Sequence, residues 1–277
     1  MFLERLLSSI VLVIVLAASM LLGGNILFLL CLFLAAAAYW EIIRATKVYE
    51  KNGKLNGMEM VGLLGVIGYY GVRFFADTET YVMLAITLTI IGIMFVYVFS
   101  FPKYHANQVM AAVFAFIYAP IMLSYIYLTR NLEDGSYLVW LIFISSWICD
   151  TCAYLVGMLI GKHKMAPKLS PKKSIEGAIG GIIGAFLVGV LYGYILVRFQ
   201  FLGQENIWLI GVIAGIGAVI SQVGDLAASA IKRNFSIKDY GKLIPGHGGI
   251  MDRFDSVMFT APMIYYLAVL LLNRKLY

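Results

Sequence analysis

The chain has 277 residues, of which 62% are hydrophobic and 13% charged, and its formal net charge is +6. Soluble domains carry about 25% Asp, Glu, Lys and Arg, so this composition excludes an ordinary soluble domain and indicates an integral membrane protein. Stretches such as IVLVIVLAASMLL lack a two-residue alternation, which excludes a transmembrane β-barrel.

Nine apolar runs are long enough to form transmembrane helices. A helix needs about 20 residues to cross the hydrocarbon core, because its backbone polar groups must be satisfied within the segment. We predict an all-α polytopic fold with helices at roughly 6–22, 25–42, 59–76, 80–100, 107–128, 137–160, 177–197, 206–231 and 255–272.

The first run resembles a signal peptide in length, but Gly23, Gly24 and Asn25 lead directly into the second run. We therefore expect a retained helix. Residues 1–277 are predicted to form a single membrane domain. Within it, the helices of about 6–128 would be a scaffold and about 137–277 the catalytic half.

The basic residues are distributed unequally between the two sides that nine crossings define. About three quarters of the 21 Lys and Arg fall on the side of the N-terminus, as is typical of the cytoplasmic side. We predict a cytoplasmic N-terminus and a C-terminus on the opposite side. The two richest polar loops, 161–176 and 232–254, would then share the cytoplasmic face.

All three cysteines, Cys31, Cys149 and Cys152, lie inside apolar runs. Cys149 and Cys152 form a CxxC motif, but a zinc site needs a second pair of ligands and a thioredoxin-like motif needs a βαβ context. Because the chain offers neither, we interpret these cysteines as small packing residues.

Acidic residues inside apolar runs are costly, about 2.5–3.5 kcal/mol at the centre of a helix, so each is a candidate functional residue. Asp150 could contact substrate or metal, or it could pair structurally with a lysine of the following loop. Asp225 and Ser229 are four residues apart, so they would lie in one stripe along a helix, and this stripe continues to the basic residues Lys232 and Arg233. One face of the predicted helix would therefore carry an acidic side chain at one end and basic side chains at the other.

The loop APKLSPKKSIEG precedes the apolar run that begins near 177. Backbone N–H groups at a helix N-terminus, with Ser and Lys beside them, form a ready anion site. We predict phosphate binding by Ser170, Lys172, Lys173 and Ser174. The alternative is that these lysines are attracted to anionic lipid headgroups.

The glycines at the start of that run are spaced four apart, as the pairs Gly177 with Gly181 and Gly180 with Gly184. No strand precedes them, so they do not fit a nucleotide-binding fingerprint. We interpret them as small residues at a helix-packing interface.

The loop KDYGKLIPGHGG, at 238–249, combines glycines with basic residues and is called the Gly-rich loop below. Its glycines would let backbone amides approach a phosphate closely; they are Gly241, Gly246, Gly248 and Gly249. Positive charge comes from Lys238, Lys242 and Arg253. His247 could donate to a phosphate or simply fix the loop.

Asp252 and Asp255 are three residues apart at the start of the last apolar run. If the helix has begun there, they share a face, and folding of loop 234–251 would bring them toward Asp225. Oxygen ligands of this kind suit Mg²⁺, which takes one or two carboxylates together with substrate phosphates. The alternative is that either acid caps the helix and that Arg253 pairs with it or reaches lipid headgroups.

The segment SAIKRNFSIKDYGKLIPGHGGIMDRFD, at 229–255, resembles the signature of the phosphatidate cytidylyltransferases, also called CDP-diacylglycerol synthases. The matching positions are Ser229, Lys232, Arg233, Lys238, Asp239, Gly241, Pro245, His247, Gly248, Gly249, Asp252, Arg253 and Asp255. The likeness extends to LSPKKSIEG at 169–177 and to the polytopic layout.

This resemblance implies a Mg²⁺-dependent reaction of CTP with phosphatidic acid that gives CDP-diacylglycerol and pyrophosphate for phospholipid synthesis, with one or two metal ions. It also implies a homodimer, no nucleic-acid partner, and a prokaryotic plasma (inner) membrane location with the active site facing the cytoplasm. The implied catalytic residues are Asp225, Asp252, Arg253 and Asp255, the three acids being metal ligands. The implied phosphate contacts are Lys172, Lys173, Lys232, Arg233, Lys238, His247 and Arg253.

Two alternatives stay open at this point. Another CTP-using lipid enzyme, such as a polyprenol kinase, needs a similar set of residues. An ion-coupled transporter would explain Asp150 and Asp225, but it leaves the basic Gly-rich loop without a task, and no inverted repeat is evident.

Overall fold

The structure is a computed structural model that describes residues 2–48, 55–76, 78–203, 206–244, 246 and 248–275, with side chains from residue 7 onward. Within these residues, nine helices and one two-stranded sheet follow in the order α1 (Phe2–Leu22), α2 (Gly24–Ala45), α3 (Gly57–Phe75), α4 (Glu79–Phe99), α5 (Ala106–Arg130), α6 (Gly135–Ile160), β1 (Lys164–Ala166), β2 (Ser170–Ser174), α7 (Ile175–Arg198), α8 (Ile207–Asn234) and α9 (Met251–Leu271). The predicted all-α polytopic fold is confirmed. The short sheet was not predicted.

Eight of the described helices, α2 to α9, are long and apolar enough to cross a membrane. In α1 the described side chains form a shorter apolar stretch, Leu7–Leu22. Large apolar side chains such as Phe99 and Leu159 are exposed, as expected for surfaces that face lipid. The protein is therefore an integral membrane protein, and the orientation of its termini stays a prediction.

Two of the helices contain a turn of π-helix. In α5 this turn is Ile117–Ile121, and it includes Pro120, which has no N–H to donate to the regular ladder. In α6 the turn is Ile144–Ile148, immediately before Cys149 and Asp150. Such turns are frequent at functional sites, which draws attention to Asp150.

The chain folds as two compact units. The first comprises Met1–Ser124 and Phe235–Arg253, and the second comprises Tyr125–Asn234 and Phe254–Tyr277. The Gly-rich loop thus folds with the N-terminal helices. The division of roles into a scaffold and a catalytic half stays a prediction.

The first unit is held together by aromatic and small residues. Tyr39 of α2 lies against Gly62 of α3, where any side chain would overlap its hydroxyl. The Tyr69 hydroxyl makes a buried hydrogen bond of 2.9 Å with Ser124. At the N-terminus of α3, a reciprocal capping box joins the cap residue, Asn56, to Glu59.

Close helix contacts in the second unit are made by small residues. A Cβ at Gly181 would lie 2.8 Å from the Cys149 carbonyl oxygen, and a Cβ at Gly184 would lie 2.5 Å from the Cys152 Sγ. The side chain of Cys149 is buried, and within the described part of the chain no cysteine forms a disulfide. The predicted packing roles of these glycines and cysteines are therefore confirmed.

The sheet is an antiparallel hairpin that leads into α7. Lys164 pairs with Ser174, and Ala166 pairs with Ser170. The Leu169 N–H donates to the Ala166 carbonyl oxygen at 3.1 Å, which closes the turn between the strands. The sequence analysis treated this segment as a loop and expected no strand before the glycines of 177–184. Both expectations were wrong, because β2 leads directly into α7.

Candidate active site

The second unit contains a cavity of about 390 Å³ that combines polar and apolar walls. Three elements supply its polar side chains: α6, the hairpin and α8. Its lining residues include Asp150, Tyr154, Met158, Ser170, Lys172, Lys173, Ser174, Gln222 and Asp225. All four residues that the sequence predicted as a phosphate site in loop 161–176 therefore face one cavity, together with both acids from the apolar runs.

An ion pair between Lys173 and Asp225 lies at the polar wall of this cavity. Each side chain is about a quarter exposed, at 25% and 24% respectively. The Ser229 hydroxyl, one turn further along α8, donates to the Asp225 carboxylate at 3.4 Å. Asp150 lies close enough to both members of the pair for their charges to interact.

Asp255, on α9, belongs to the same group of charges. It lies near enough to Asp225 and Lys232 for their charges to interact. The two helices approach closely here, because a Cβ at Gly224 would lie 3.0 Å from the Asp255 carbonyl oxygen. The second unit therefore brings together two of the three predicted metal ligands.

The hairpin is fixed to α7 by hydrogen bonds of Ser174 and Glu176. Ser174 is the N-cap residue of α7, and its hydroxyl accepts the Gly177 N–H at 3.1 Å. The Glu176 carboxylate accepts the backbone N–H groups of Lys162 and His163 at 3.1 and 3.2 Å. These bonds hold β2, the strand that carries Lys172 and Lys173, at the N-terminal end of α7.

Arg233 also contacts the hairpin, since its Nε donates to the Leu169 carbonyl oxygen at 3.4 Å. The predicted stripe on α8 is thus confirmed as a continuous helical face that begins at Asp225 and ends at this arginine. Its basic end reaches the same segment that supplies the cavity lysines.

The Gly-rich loop of the first unit is organised around Asp252. Helix α9 begins at Met251, so Asp252 and Asp255 both lie in its first turns, as the prediction required. The Asp252 Oδ2 accepts the backbone N–H groups of Tyr240 at 2.8 Å and Gly249 at 3.0 Å. Asp252 therefore binds backbone that precedes α9, and these two bonds are not those of a helix cap, which would come from the first turn of the helix.

A second carboxylate, from Glu41 of α2, also holds this loop. It accepts the N–H groups of Ile250 at 3.0 Å and Met251 at 2.8 Å, and Glu41 is only 6% exposed. The sequence analysis missed this residue. The signal was present, because Glu41 is an acid inside the apolar run 25–42, the same criterion that singled out Asp150 and Asp225.

The other residues predicted to bind phosphate here differ in exposure and backbone conformation. Lys238, Lys242 and Arg253 are exposed, and Gly248 adopts a φ of 89°, which favours glycine. His247 and Pro245 lie outside the described residues. The predicted phosphate roles of this group stay predictions.

The donor chemistry fits a divalent cation, although the protein cannot complete its shell alone. Among the described residues, no group of three or more His, Cys, Asp or Glu side chains is placed to hold a metal ion. Asp225 and Asp255 nevertheless offer two neighbouring carboxylates, which is the number that Mg²⁺ takes when substrate phosphates and water supply the remaining oxygens. Asp252 remains a predicted third ligand.

Comparison with known proteins identifies the family. A model of the Cytidylyltransferase family matches residues 3–271. The phosphatidate cytidylyltransferase of Staphylococcus haemolyticus (strain JCSC1435) is 36% identical over 152 residues, which are 55% of this chain and 56% of the relative. That of Staphylococcus aureus (strain COL) is 33% identical over 156 residues, again 55% and 56%.

The chain thus spans about half the length of the curated relatives it matches. The family model, in contrast, covers nearly all of it, including every residue of the cavity and of the Gly-rich loop. On this match the chain belongs to the cytidylyltransferase family.

Proposed function

We propose that this membrane protein transfers the cytidylyl group of CTP to phosphatidic acid, giving CDP-diacylglycerol and pyrophosphate for phospholipid synthesis. The observation that carries the proposal is the polar cavity of the second unit, where Lys173 pairs with Asp225 beside Asp150 and the anion-binding residues of the hairpin. The Staphylococcus relatives are phosphatidate cytidylyltransferases by name, which supports the same two substrates.

In the proposed reaction, a phosphate oxygen of phosphatidic acid attacks the α-phosphorus of CTP. The bond from the α-phosphorus to the oxygen that bridges it to the β-phosphorus breaks, and pyrophosphate leaves with that oxygen. The nucleophile is already anionic near neutral pH, because the second pKa of a phosphate monoester is about 6. No strong general base is required.

The main task of the protein in this reaction is to neutralise charge, since the two substrates repel each other. Lys172 and Lys173 face the cavity, and Lys232 lies close to the neighbouring carboxylates. We propose that Lys173 leaves Asp225 when substrates bind and contacts a phosphate oxygen instead. Before substrates bind, Lys173 and Asp225 would thus neutralise each other. A phosphate would then replace Asp225 as the partner of Lys173, and a cation would replace Lys173 as the partner of Asp225.

Asp225 and Asp255 are the residues that would hold Mg²⁺ in the second unit, and oxygen-only ligands of this kind support that choice. A cation bound there would offset the charge of the transferred phosphoryl group and polarise its oxygens. Asp252 as a further ligand is tested by Asp252→Asn, for which we expect activity to need a higher Mg²⁺ concentration. An unchanged Mg²⁺ dependence would remove Asp252 from the ligand set.

The proposal is tested by incubating the purified protein in phosphatidic acid-containing micelles with CTP labelled at the α-phosphorus or, in parallel, at the γ-phosphorus. Cytidylyl transfer moves only the α label into lipid and releases the γ label as pyrophosphate. A polyprenol kinase moves only the γ label into its lipid, and a transporter moves neither. Absence of α label from the lipid fraction would overturn the proposed function.

We also propose a homodimer in a bacterial plasma membrane with the active site facing the cytoplasm. The bacterial sources of the relatives and the unequal distribution of Lys and Arg support the membrane and its orientation, whereas the dimer follows only from the family resemblance. Mass measurement in detergent tests the dimer. Accessibility of a cysteine introduced at Lys168 to membrane-impermeant reagents, in sealed vesicles of known orientation, tests the side.

A further inference from the structure

Glu41 is a carboxylate enclosed by the backbone of the Gly-rich loop. Besides its two hydrogen bonds from Ile250 and Met251, it lies directly against Gly241 and Gly249. A Cβ at either glycine would overlap the Glu41 carboxylate. A side chain at either position would therefore force the Glu41 carboxylate out of its hydrogen bonds with Ile250 and Met251.

The conformations of these glycines support the same reading. Gly246 and Gly248 have positive φ values of 75° and 89°, which explains why they are glycine without reference to a neighbour. Gly241 and Gly249 are absent from the positive-φ residues of the described chain, so their backbone would accept an alanine. Space for Glu41 is what excludes a side chain there.

A charge buried in this way is costly unless its hydrogen-bonding capacity is used. Glu41 uses it on the first amides of α9, where the N-terminal N–H groups lack partners within the helix and the helix dipole favours an anion. Asp252 lies one residue beyond these amides, and its own carboxylate holds Tyr240 and Gly249. Glu41, near the start of the sequence, and Asp252, near its end, therefore both hold backbone amides at this loop.

We infer that Glu41 is a positioning residue for the Gly-rich loop, which sets the place of Asp252 and of the first turn of α9 during catalysis. This inference rests on the proposed function for its catalytic consequence. It also means that the amides of Ile250 and Met251 are occupied by the protein itself. Phosphate contacts from this loop must then come from other groups, such as its lysines.

The test compares Glu41→Gln with a matched control, Glu59→Gln, in the full-length protein. Glu59 is in the same unit, is 1% exposed and accepts a backbone N–H from Asn56 at 2.9 Å, but it caps α3 and not the loop. Glutamine keeps the size of the side chain and replaces one acceptor oxygen with a donor, so one loop N–H loses its partner.

For Glu41→Gln we expect kcat to fall about 10- to 100-fold, the range for loss of a residue that orients a ligand, with a smaller change in the KM for phosphatidic acid. For Glu59→Gln we expect a lower melting temperature and an unchanged kcat. Glu41→Asp should not restore activity fully, because its carboxylate is one methylene short. Equal kcat losses in the two glutamine variants, or a normal kcat in Glu41→Gln, would overturn the inference.

A double-substitution experiment tests the contact itself. Gly249→Ala should be strongly damaging while Glu41 is present, because its Cβ would overlap the carboxylate. In Glu41→Ala that space is open, so Glu41→Ala/Gly249→Ala should be no worse than Glu41→Ala alone. Losses that multiply would show that the two residues act independently and would contradict the inference.

Hydrogen exchange separates a failure of this inference from a failure of the proposed function. The amides of Ile250 and Met251 should exchange about 5- to 150-fold faster in Glu41→Ala than in the wild type, which corresponds to the about 1–3 kcal/mol of a lost buried hydrogen bond. This measurement needs no substrate. Unchanged protection would overturn the positioning role even if cytidylyl transfer were demonstrated, and faster exchange would support it even if no transfer occurred.

Discussion

The carboxylates of the two units are held in different ways. In the first unit, Glu41 and Asp252 each accept two backbone N–H groups from one loop. In the second unit, Asp225 has a lysine side chain and a serine hydroxyl as partners and lies at the wall of a cavity. The carboxylates of the first unit thus bind the protein backbone, whereas the carboxylate of Asp225 in the second unit faces a cavity.

This difference separates two uses of costly acids in a membrane protein. Backbone amides cannot leave a carboxylate without unfolding the loop, so the first arrangement is suited to fixing a conformation. A lysine side chain can rotate away and be replaced by a cation, so the second is suited to exchange with ligands. The predictions below test whether the two units divide the work in this way.

The largest effect is expected for Asp225→Asn. The amide cannot replace the charge that Lys173 and a divalent cation would both need, so we expect kcat/KM to fall at least about 100-fold, as for loss of a preorganised charge at a reacting phosphate or carbonyl. The melting temperature in detergent should change little, because the side chain contacts a cavity. Substantial Mg²⁺-dependent activity in this variant would contradict its place in the site.

Lys173→Ala is expected to have the next largest effect. It tests whether a lysine that faces the cavity differs in function from a lysine on the exposed surface. Removal of the cavity ammonium should raise KM for a phosphate-bearing substrate and lower kcat/KM about 10-fold or more, as for loss of a charge-assisted hydrogen bond. Lys168, in the turn of the same hairpin, is exposed and provides the control. Similar losses in Lys168→Ala would show that general attraction to anionic lipid is responsible.

The sequence alone predicts the fold and most of the polar side chains of the cavity, although not Tyr154 and Gln222. Lipid requires every crossing segment to satisfy its own backbone, so the apolar runs locate the helices to within a few residues. An acid in such a run is expensive enough to be noticed, which is how Asp150 and Asp225 were identified. Four loop residues predicted to bind phosphate also reach the same cavity wall.

What the sequence could not supply is the choice of partners. The pairing of Lys173 with Asp225, and not Asp150, depends on where β2 places the lysine, and this strand has no alternation that would reveal it. The position of Glu41 inside an apolar run marks it as a candidate, but its partners lie 209 and 210 residues away, so the sequence does not show which segment it binds. Contacts of that kind follow from tertiary structure and leave no local pattern.

The glycines extend the comparison to packing, because Gly249 makes room for an acid while Gly184 makes room for Cys152. For Gly184→Ala we expect a loss of about 1–3 kcal/mol in stability from overpacking, with activity per folded molecule preserved. Gly68→Ala is the matched control, since a Cβ there has nothing within 4 Å. Thermal unfolding in detergent measures both, and equal shifts would contradict a packing role for Gly184.

The smallest effect is expected for Cys152→Ala, which asks whether the CxxC motif of the second unit does anything besides fill space. Cys152 is a free thiol on α6, and its Sγ occupies the place that a side chain at Gly184 would need. Loss of one sulfur at a half-buried position should change activity by no more than about twofold, equivalent to about 0.5 kcal/mol. It should also reduce the overlap in Gly184→Ala, because the Sγ at 2.5 Å is removed while the Cβ at 2.7 Å remains. We therefore expect Cys152→Ala/Gly184→Ala to unfold at a higher temperature than Gly184→Ala. If Cys152→Ala instead abolished turnover, the thiol would have a chemical role, and the small residues of α6 and α7 could no longer be explained by close helix packing alone.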